Sequence, residues 1–475
     1  MSMFAIEKAG WSKALIIFPL SVSCKMVFRQ VDEKVEKIIW LIFSALLLVI
    51  PFSFALNIGS NQLNIPAEPL IAVLALFFLY AIDFHSLRTS KFLRHPITLA
   101  GLAYQGWMTC MIPFSSDMLV SSKYVLVNAA HFWVFYFGFY YFVNILDKNV
   151  FTWVRYYSIS FVMVIIYSLV RHGYFHFRMD AAPILSHPFY NDHTLFSAVA
   201  TFLLPFFLIK IKRKGNWSYI NLFIVGLLFE AIFFSYCRAA WLSGIVAIIF
   251  ALLLKTFKSK YVVLSASLLA FAIVFAMFFP LISSQTQQKF VESKKNSWID
   301  QLRSITDFKS NVSNLERINR YRCAYRMWKD RPLTGFGPGT FQVAFLPYQR
   351  PEEMTRISVT TTRAIDGSPH PTGRGGGAHS EYFQALAELG TPGLLAWLGL
   401  IGISLYFGIS LYYRSASKGQ PVILALLAAL VTCFSHGLIN NFLHSEKISV
   451  LFWASLSLMV FLDLESGHKS KNRIS

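Results

Sequence analysis

Charge is scarce in this chain: only 14% of its 475 residues are Asp, Glu, Lys or Arg, where a soluble domain carries about 25%. With 55% hydrophobic residues and 46 Phe, and a mean hydropathy of +0.51, that shortage excludes a soluble multidomain enzyme. Length alone would have allowed roughly two or three soluble domains. A disordered chain is excluded too, because such chains lack this much apolar and aromatic surface. Cysteine is sparse and scattered, at Cys24, Cys110, Cys237, Cys323 and Cys433. There is no C-x-x-C and no zinc spacing, and four of the five lie in or beside apolar runs, so no disulfide framework or metal site is expected. No internal repeat is found, and no low-complexity tract beyond Gly373-Arg374-Gly375-Gly376-Gly377. Acid is scarcer than base, 24 against 43, which leaves a net charge of +19. In a chain this apolar, such an excess speaks first of topology and only second of an anionic partner.

What is present is a series of apolar runs, each near the roughly 20 residues that span a bilayer. Twelve are read, approximately at 38–58, 66–83, 95–113, 121–145, 151–171, 193–211, 217–236, 238–256, 261–282, 392–413, 421–440 and 447–464. No irregular backbone can face lipid, so each is expected to be helical. The fold class is an all-α polytopic membrane protein of about twelve transmembrane helices. Alternate connections hold the basic residues: Arg88, Lys91 and Arg94; Lys148; Lys210, Lys212, Arg213 and Lys214; Lys255, Lys258 and Lys260; Arg414 and Lys418. The opposite set holds little beyond Arg171, Arg178, Arg238 and Lys447. The N-terminal segment and the tail group with the basic set, so both termini are expected to be cytoplasmic. Residues 14–24 mimic a short signal peptide ending in Cys24. Pro19 and the many later spans favour a cytoplasmic interfacial segment instead.

The organisation expected is a cytoplasmic or interfacial segment at 1–37, nine spans over 38–282, a large outer loop at 283–391, three spans over 392–464, and a cytoplasmic tail at 465–475. The loop is too long for a plain connector. Within it, Ser313-x-x-Glu316 has the pattern of a capping box. Leu315, Ile318, Tyr321, Tyr325 and Trp328 then form one apolar stripe, and Pro332 ends the helix. Residues 284–378 hold 15 Lys or Arg against 8 Asp or Glu. That charge fits either a solvated basic surface or a surface for a phosphorylated, membrane-borne substrate.

Ionisable residues favour the outer half of the spans. Glu230 lies about 13 residues into the seventh run, roughly 20 Å along a helix. His436 and Asn440 lie near the outer end of the eleventh, and His131, nearer the midplane, reads as a packing residue. A proton-coupled transporter needs charge near the midplane, usually with paired repeats. A site facing the outer leaflet fits this distribution better.

Three patterns bear on chemistry. Arg238-Ala239-Ala240-Trp241-Leu242 opens the eighth span with an arginine at a helix N-terminus, where bidentate donors add to a phosphate-attracting end, although a snorkelling arginine would give the same spacing. The run Arg331-Pro332-Leu333-Thr334-Gly335-Phe336-Gly337-Pro338-Gly339-Thr340-Phe341 is Gly-rich but lacks the GK[ST] of a nucleotide loop, and reads as a tight turn packing Phe336 and Phe341. His379-Ser380-Glu381, running to Gly390, places a histidine at a helix entrance with Glu381 nearby, where it can serve as a general base.

Together these residues resemble the O-antigen ligase and polymerase superfamily of bacterial membrane glycosyltransferases, closest to the O-antigen ligase branch. The resemblance rests on the polytopic layout with a large late loop, R-x-x-x-L at Arg238, the Gly-rich run, and H-S-E-Y-F-Q-A-L-A-E-L-G-T-P-G from His379. It implies a bacterial inner-membrane enzyme with a periplasmic site, without cofactor or metal. The donor would be an undecaprenyl-diphosphate-linked glycan and the acceptor a lipid A core sugar or another glycan. Membrane lipids are the other partners, and nucleic acid is not one. Arg238 matches the family's outer arginine and His379 its base. Arg178 is matched as a second diphosphate-binding arginine, with Asn191, Glu381 and Arg331 as supporting residues. A polysaccharide polymerase or a protein O-oligosaccharyltransferase would use the same groups. A lipid-linked glycan flippase is the alternative of a different class.

Overall fold

The computed structural model describes residues 32–58, 61–83, 90–143, 151–209, 216–270, 312–350, 353, 359–363, 369–373, 377–417 and 419–471. The segment before Asp32, including the interfacial stretch at 14–24, lies outside the described residues. So do the second half of the ninth apolar run and the first part of the outer loop.

A helix stands in each of the twelve apolar runs. In chain order the helices are α1 (Glu33–Val49), α2 (Ala67–Tyr80), α3 (Pro96–Cys110), α4 (Met118–Phe132), α5 (Thr152–Tyr174), α6 (His193–Leu208), α7 (Asn216–Phe234), α8 (Arg238–Thr256) and α9 (Lys260–Ala270). After the outer helix α10 (Val312–Asp330) come α11 (Glu381–Arg414), α12 (Gln420–His436) and α13 (Glu446–Lys471). Among the described residues, five helical stretches, starting at Glu33, Thr152, Arg238, Glu381 and Glu446, are long and apolar enough to cross a membrane.

The starts are written locally. Asp32, Asp117 and Asp192 each accept backbone N–H groups of α1, α4 and α6 at 2.8–3.0 Å, which satisfies donors the first turn leaves open. Beyond Phe132, α4 continues through a π-helical segment, Trp133–Gly138.

The first run departs from expectation. Its helix yields at Ile50–Phe52 to a 3-10 turn, and the chain then forms an antiparallel hairpin, β1 (Phe54–Ile58) with β2 (Asn61–Ile65), Phe54 opposite Ile65. Pro51 cannot donate within a helix. The apolar residues after it alternate along a strand, so a span ending at 58 was too long. A second hairpin pairs Val359–Arg363 with Pro369–Gly373.

The bundle is organised around α13, whose stretch from Ile448 to Leu462 is buried almost throughout. The surrounding helices turn exposed apolar side chains outward, among them Leu41, Leu76, Leu126, Val170 and Leu268, as lipid-facing surfaces require. Both ends of α13 are fastened. At one, the Lys447 ammonium donates to the Ile50 and Ser53 carbonyls at 2.9 and 2.8 Å, beside Glu446. At the other, Asp463 meets Arg414 at 2.5 Å and His95 at 3.3 Å. Lys447, read from sequence as an outer-loop charge, is therefore a buried fastening.

The tight turn expected at 331–341 is present and is a brace. Its backbone N–H groups at Phe336 and Gly337 donate to the carbonyls of Ala387 and Glu388, at 3.0 and 2.9 Å. The buried Glu388 carboxylate accepts from Gly339 and Phe341, both at 2.9 Å. These bonds hold the outer segment against α11 where that helix kinks. Gly390 takes φ 68° there, and a Cβ on it would lie 2.5 Å from the backbone of Leu333, so only glycine fits.

The outer helix α10 also differs from expectation. Among the described residues it begins at Val312, so Ser313 lies inside it and is not its cap. The Ser313 hydroxyl accepts from Arg317 at 2.8 Å, and Glu316 pairs with Arg320 at 2.9 Å. Besides the expected stripe, Cys323, Ala324 and Met327 are buried against Phe341 and Phe345. Two faces of α10 are thus enclosed, and it does not lie loose on a membrane surface.

Candidate active site

The site begins with α10 against the first turns of α11. Arg320 is neutralised by Glu316, while Arg322 and Arg326 share Glu353, the latter pair at 2.5 Å. Three of the loop's arginines are therefore paired within the fold. Arg317 is different. Its side chain donates to Ser313, and its Nε has no hydrogen-bond partner among the described residues. No carboxylate stands three or four positions from it: those places hold Ser313, Asn314, Arg320 and Tyr321.

His379 sits at the entrance to α11 with a left-handed backbone, φ 54°, a strained conformation for a non-glycine residue. The strain is held by Tyr321 of α10, whose hydroxyl reaches the carbonyls of His379 and Leu438 at 3.0 and 3.1 Å. Ser380 caps the helix that follows. Burial, and then the charges of Arg317 and Arg320, push the His379 imidazole down to about 3. It is therefore neutral at physiological pH, with a lone pair available. A negatively charged ligand between the arginines and the ring would offset their field and raise its basicity, while the effect of burial remained.

Around this pair lie further polar groups. Arg317 is within electrostatic reach of His193 at the start of α6, of His436 at the end of α12, and of Cys237 immediately before Arg238. Burial raises the Cys237 thiol, against the pull of the Arg317 charge. His436 is 3% exposed, and neither of its ring nitrogens has a hydrogen-bond partner among the described residues; the same holds for Asn440 Nδ2. Each buried polar group left so costs about 1–3 kcal/mol. Several together around a cation describe a place prepared for a polar or anionic guest.

Residues 223–398 match the family model for O-antigen ligase. Over that stretch the chain is similar to O-antigen ligases. The resemblance read from the motifs is thereby borne out, and a ligase or polymerase type of membrane glycan transfer follows for that stretch in general. Arg238, the Gly-rich brace and the stretch from His379 to Gly393 all fall within the matched residues, while Arg178 and Asn191 precede them. A comparison with curated proteins found no match.

The other residues singled out from sequence fall in varied places. Arg238 is half-buried at the first position of α8, next to the Cys237 that Arg317 reaches. Arg178 is exposed, and its carbonyl lies 3.1 Å from His172 Nε2. Asn191 is exposed beside the capping Asp192. Glu381 turns its carboxylate to the backbone N–H groups of Phe442 and Leu443, at 2.6 and 2.8 Å, and so positions the α12–α13 connection. Arg331 stacks on Phe336 and donates to the Phe114 carbonyl, which ties the brace to the bundle. Among the described residues, no group of three or more His, Cys, Asp or Glu is placed to hold a metal ion. Arg317 was missed from sequence. Its signal was the helical spacing, which supplies one carboxylate, Glu316, to its neighbour Arg320 and none to it.

Proposed function

We propose that this protein transfers a glycan from undecaprenyl diphosphate to an acceptor hydroxyl, with a lipid A core sugar as acceptor, at the periplasmic face of the bacterial inner membrane. In this reading the chain has twelve spans with both termini cytoplasmic, and the segment 283–391 roofs the site. The acceptor oxygen attacks the anomeric carbon. The bond from that carbon to the diphosphate oxygen breaks, the electron pair leaves with the diphosphate, and the acceptor proton passes to His379. A single displacement of this kind inverts the anomeric centre. Arg238, Arg178 and, added from the fold, Arg317 hold the diphosphate and stabilise the charge that grows on it. The activated diphosphate supplies the driving force, so no nucleotide is needed.

The observation that carries this reading is the neutral His379 imidazole beside Arg317, whose Nε is unbonded among the described residues. That pairing supplies a proton acceptor within the field of an anion-holding cation. The similarity to O-antigen ligases over 223–398 supports the reaction class. The test is an in vitro assay with purified protein and undecaprenyl-diphosphate glycan, with and without lipid A core. Glycan appearing on the core, and lost in His379→Ala and Arg317→Ala, is the expected result. Longer lipid-linked chains without core would reassign the protein as a polymerase. Normal transfer by His379→Ala would remove the base from the mechanism.

A further inference from the structure

A strained backbone keeps its shape only where its surroundings over-determine it, and the peptide groups that flank His379 are held by four different residues. On the N-terminal side, the Gly377 carbonyl accepts from Arg320 Nη1 at 3.2 Å and the Ala378 N–H donates to Gln384 Oε1 at 3.3 Å. On the other side, the His379 carbonyl accepts from Tyr321 and the Glu381 N–H donates to the Gly437 carbonyl, at 3.0 and 2.9 Å. Glu381, the nearest carboxylate in the chain, is turned to Phe442 and Leu443. The frame that aims the imidazole is therefore the backbone on either side of it.

Gln384 is the member of this frame that reaches beyond it. It stands half-buried in the first turn of α11. Its Oε1 also accepts from Asn441 Nδ2 at 2.6 Å, and its Nε2 donates to Glu388 Oε1 at 3.2 Å. A backbone N–H only donates, so the Ala378 contact fixes which end of the amide is the oxygen. Glu388 Oε1 is the atom that takes the Phe341 N–H of the brace. One side chain thus joins the brace, the α12–α13 connection and the peptide next to His379. Gly377 completes the arrangement, because a Cβ there would collide with Asn441 Nδ2 and lie 2.6 Å from Gln384 Oε1.

We propose that Gln384 is a positioning residue for His379: it ties the peptide before Ala378 to the brace and so holds the imidazole where the acceptor proton is taken. This role rests on the reading of His379 as the base. It is tested on the full-length protein in nanodiscs, comparing wild type with His379→Ala, Gln384→Ala and Gly377→Ala. Two quantities are measured: the single-turnover rate of transfer from saturating undecaprenyl-diphosphate glycan to lipid A core, and Kd for undecaprenyl diphosphate. Gln384→Ala removes the acceptor of the Ala378 N–H, and Gly377→Ala displaces that acceptor without altering it. Both are expected to lower the rate by about 10- to 100-fold, the scale of misplacing a reacting group by about 1 Å. Kd is expected to stay within about twofold of wild type, which shows the variants to be folded; a merely structural role would move rate and affinity together. Should one variant fail to bind the lipid, the other decides. A wild-type rate in either variant, or loss of rate and affinity together in both, would overturn the positioning role. If His379→Ala is inactive in that case, the base survives and only the role of Gln384 falls. Absence of transfer by the wild type, or normal transfer by His379→Ala, would remove the base and the role of Gln384 with it.

Discussion

Replacing Arg317 by glutamine removes one positive charge beside His379 and should move the acid limb of the pH profile. In the folded protein His379 is depressed from the ordinary 6.5 to about 3, by burial first and by Arg317 and Arg320 after it. A base with a lowered pKa stays unprotonated as pH falls, so the limb of kcat/KM that His379 controls lies well below neutrality in the wild type. Loss of a neighbouring cation stabilises imidazolium, raises the pKa, and brings that limb upward toward 6.5. Two unit charges about 10 Å apart at an effective dielectric near 20 interact by about 1.7 kcal/mol, equivalent to roughly 1.2 pH units, which sets the scale for the share carried by Arg317. Since Arg320 and burial remain, a rise of about one unit is the expected outcome. The assay is glycan transfer at sub-saturating donor from pH 2.5 to 8, reading kcat/KM for wild type and Arg317→Gln. The variant should lose absolute rate everywhere and lose proportionally more at the acid end. A limb that stays in place, or moves to lower pH, would refute the coupling between Arg317 and His379.

Three further outcomes are expected. Glu388→Ala leaves the Gly339 and Phe341 N–H groups without their buried acceptor and should cost about 2–4 kcal/mol, read as a lower Tm in detergent together with early proteolysis near 331–341. Gly390→Ala forces a Cβ to 2.5 Å from the Leu333 backbone at φ 68°; it should lower Tm more than Gly402→Ala, where a Cβ meets nothing within 4 Å. Lys447→Ala leaves Glu446 buried without its counter-charge and should cost about 3–5 kcal/mol, whereas Lys37→Ala, at an exposed pair, should leave Tm nearly unchanged.

The helices were legible because runs of apolar residues have few other uses, and the Gly-rich run and His379 were legible because glycine and histidine each narrow the choices. Hydropathy could not see where α1 gives way to a hairpin, since Phe54 and Leu56 count as apolar whether they lie on a helix or a strand. The capping box at Ser313 was misplaced because its pattern is local, while in the fold Ser313 lies within α10 and its hydroxyl is taken by Arg317. Lys447 reads as a loop charge until the turn at Ile50–Ser53 is folded against it. Arg178 was matched by motif order alone, and Arg317 emerged only when α10 and α11 were brought together. Proximity between elements distant in sequence is a property of packing, which one sequence without an alignment does not display.

The H-x10-G spacing has a mechanical meaning once the kink is placed. Between His379 and Gly390 the chain is helical from Glu381, and Gly390 is where α11 changes direction against the brace. Those two turns and a half are a ruler, with one end clamped by Tyr321 and Ser380 and the other by Pro332, whose carbonyl takes the Thr391 N–H at 2.7 Å. A helix advances 1.5 Å and about 100° per residue. Inserting a single alanine in 382–387 would therefore swing the imidazole away from the arginines while preserving every side chain in the site.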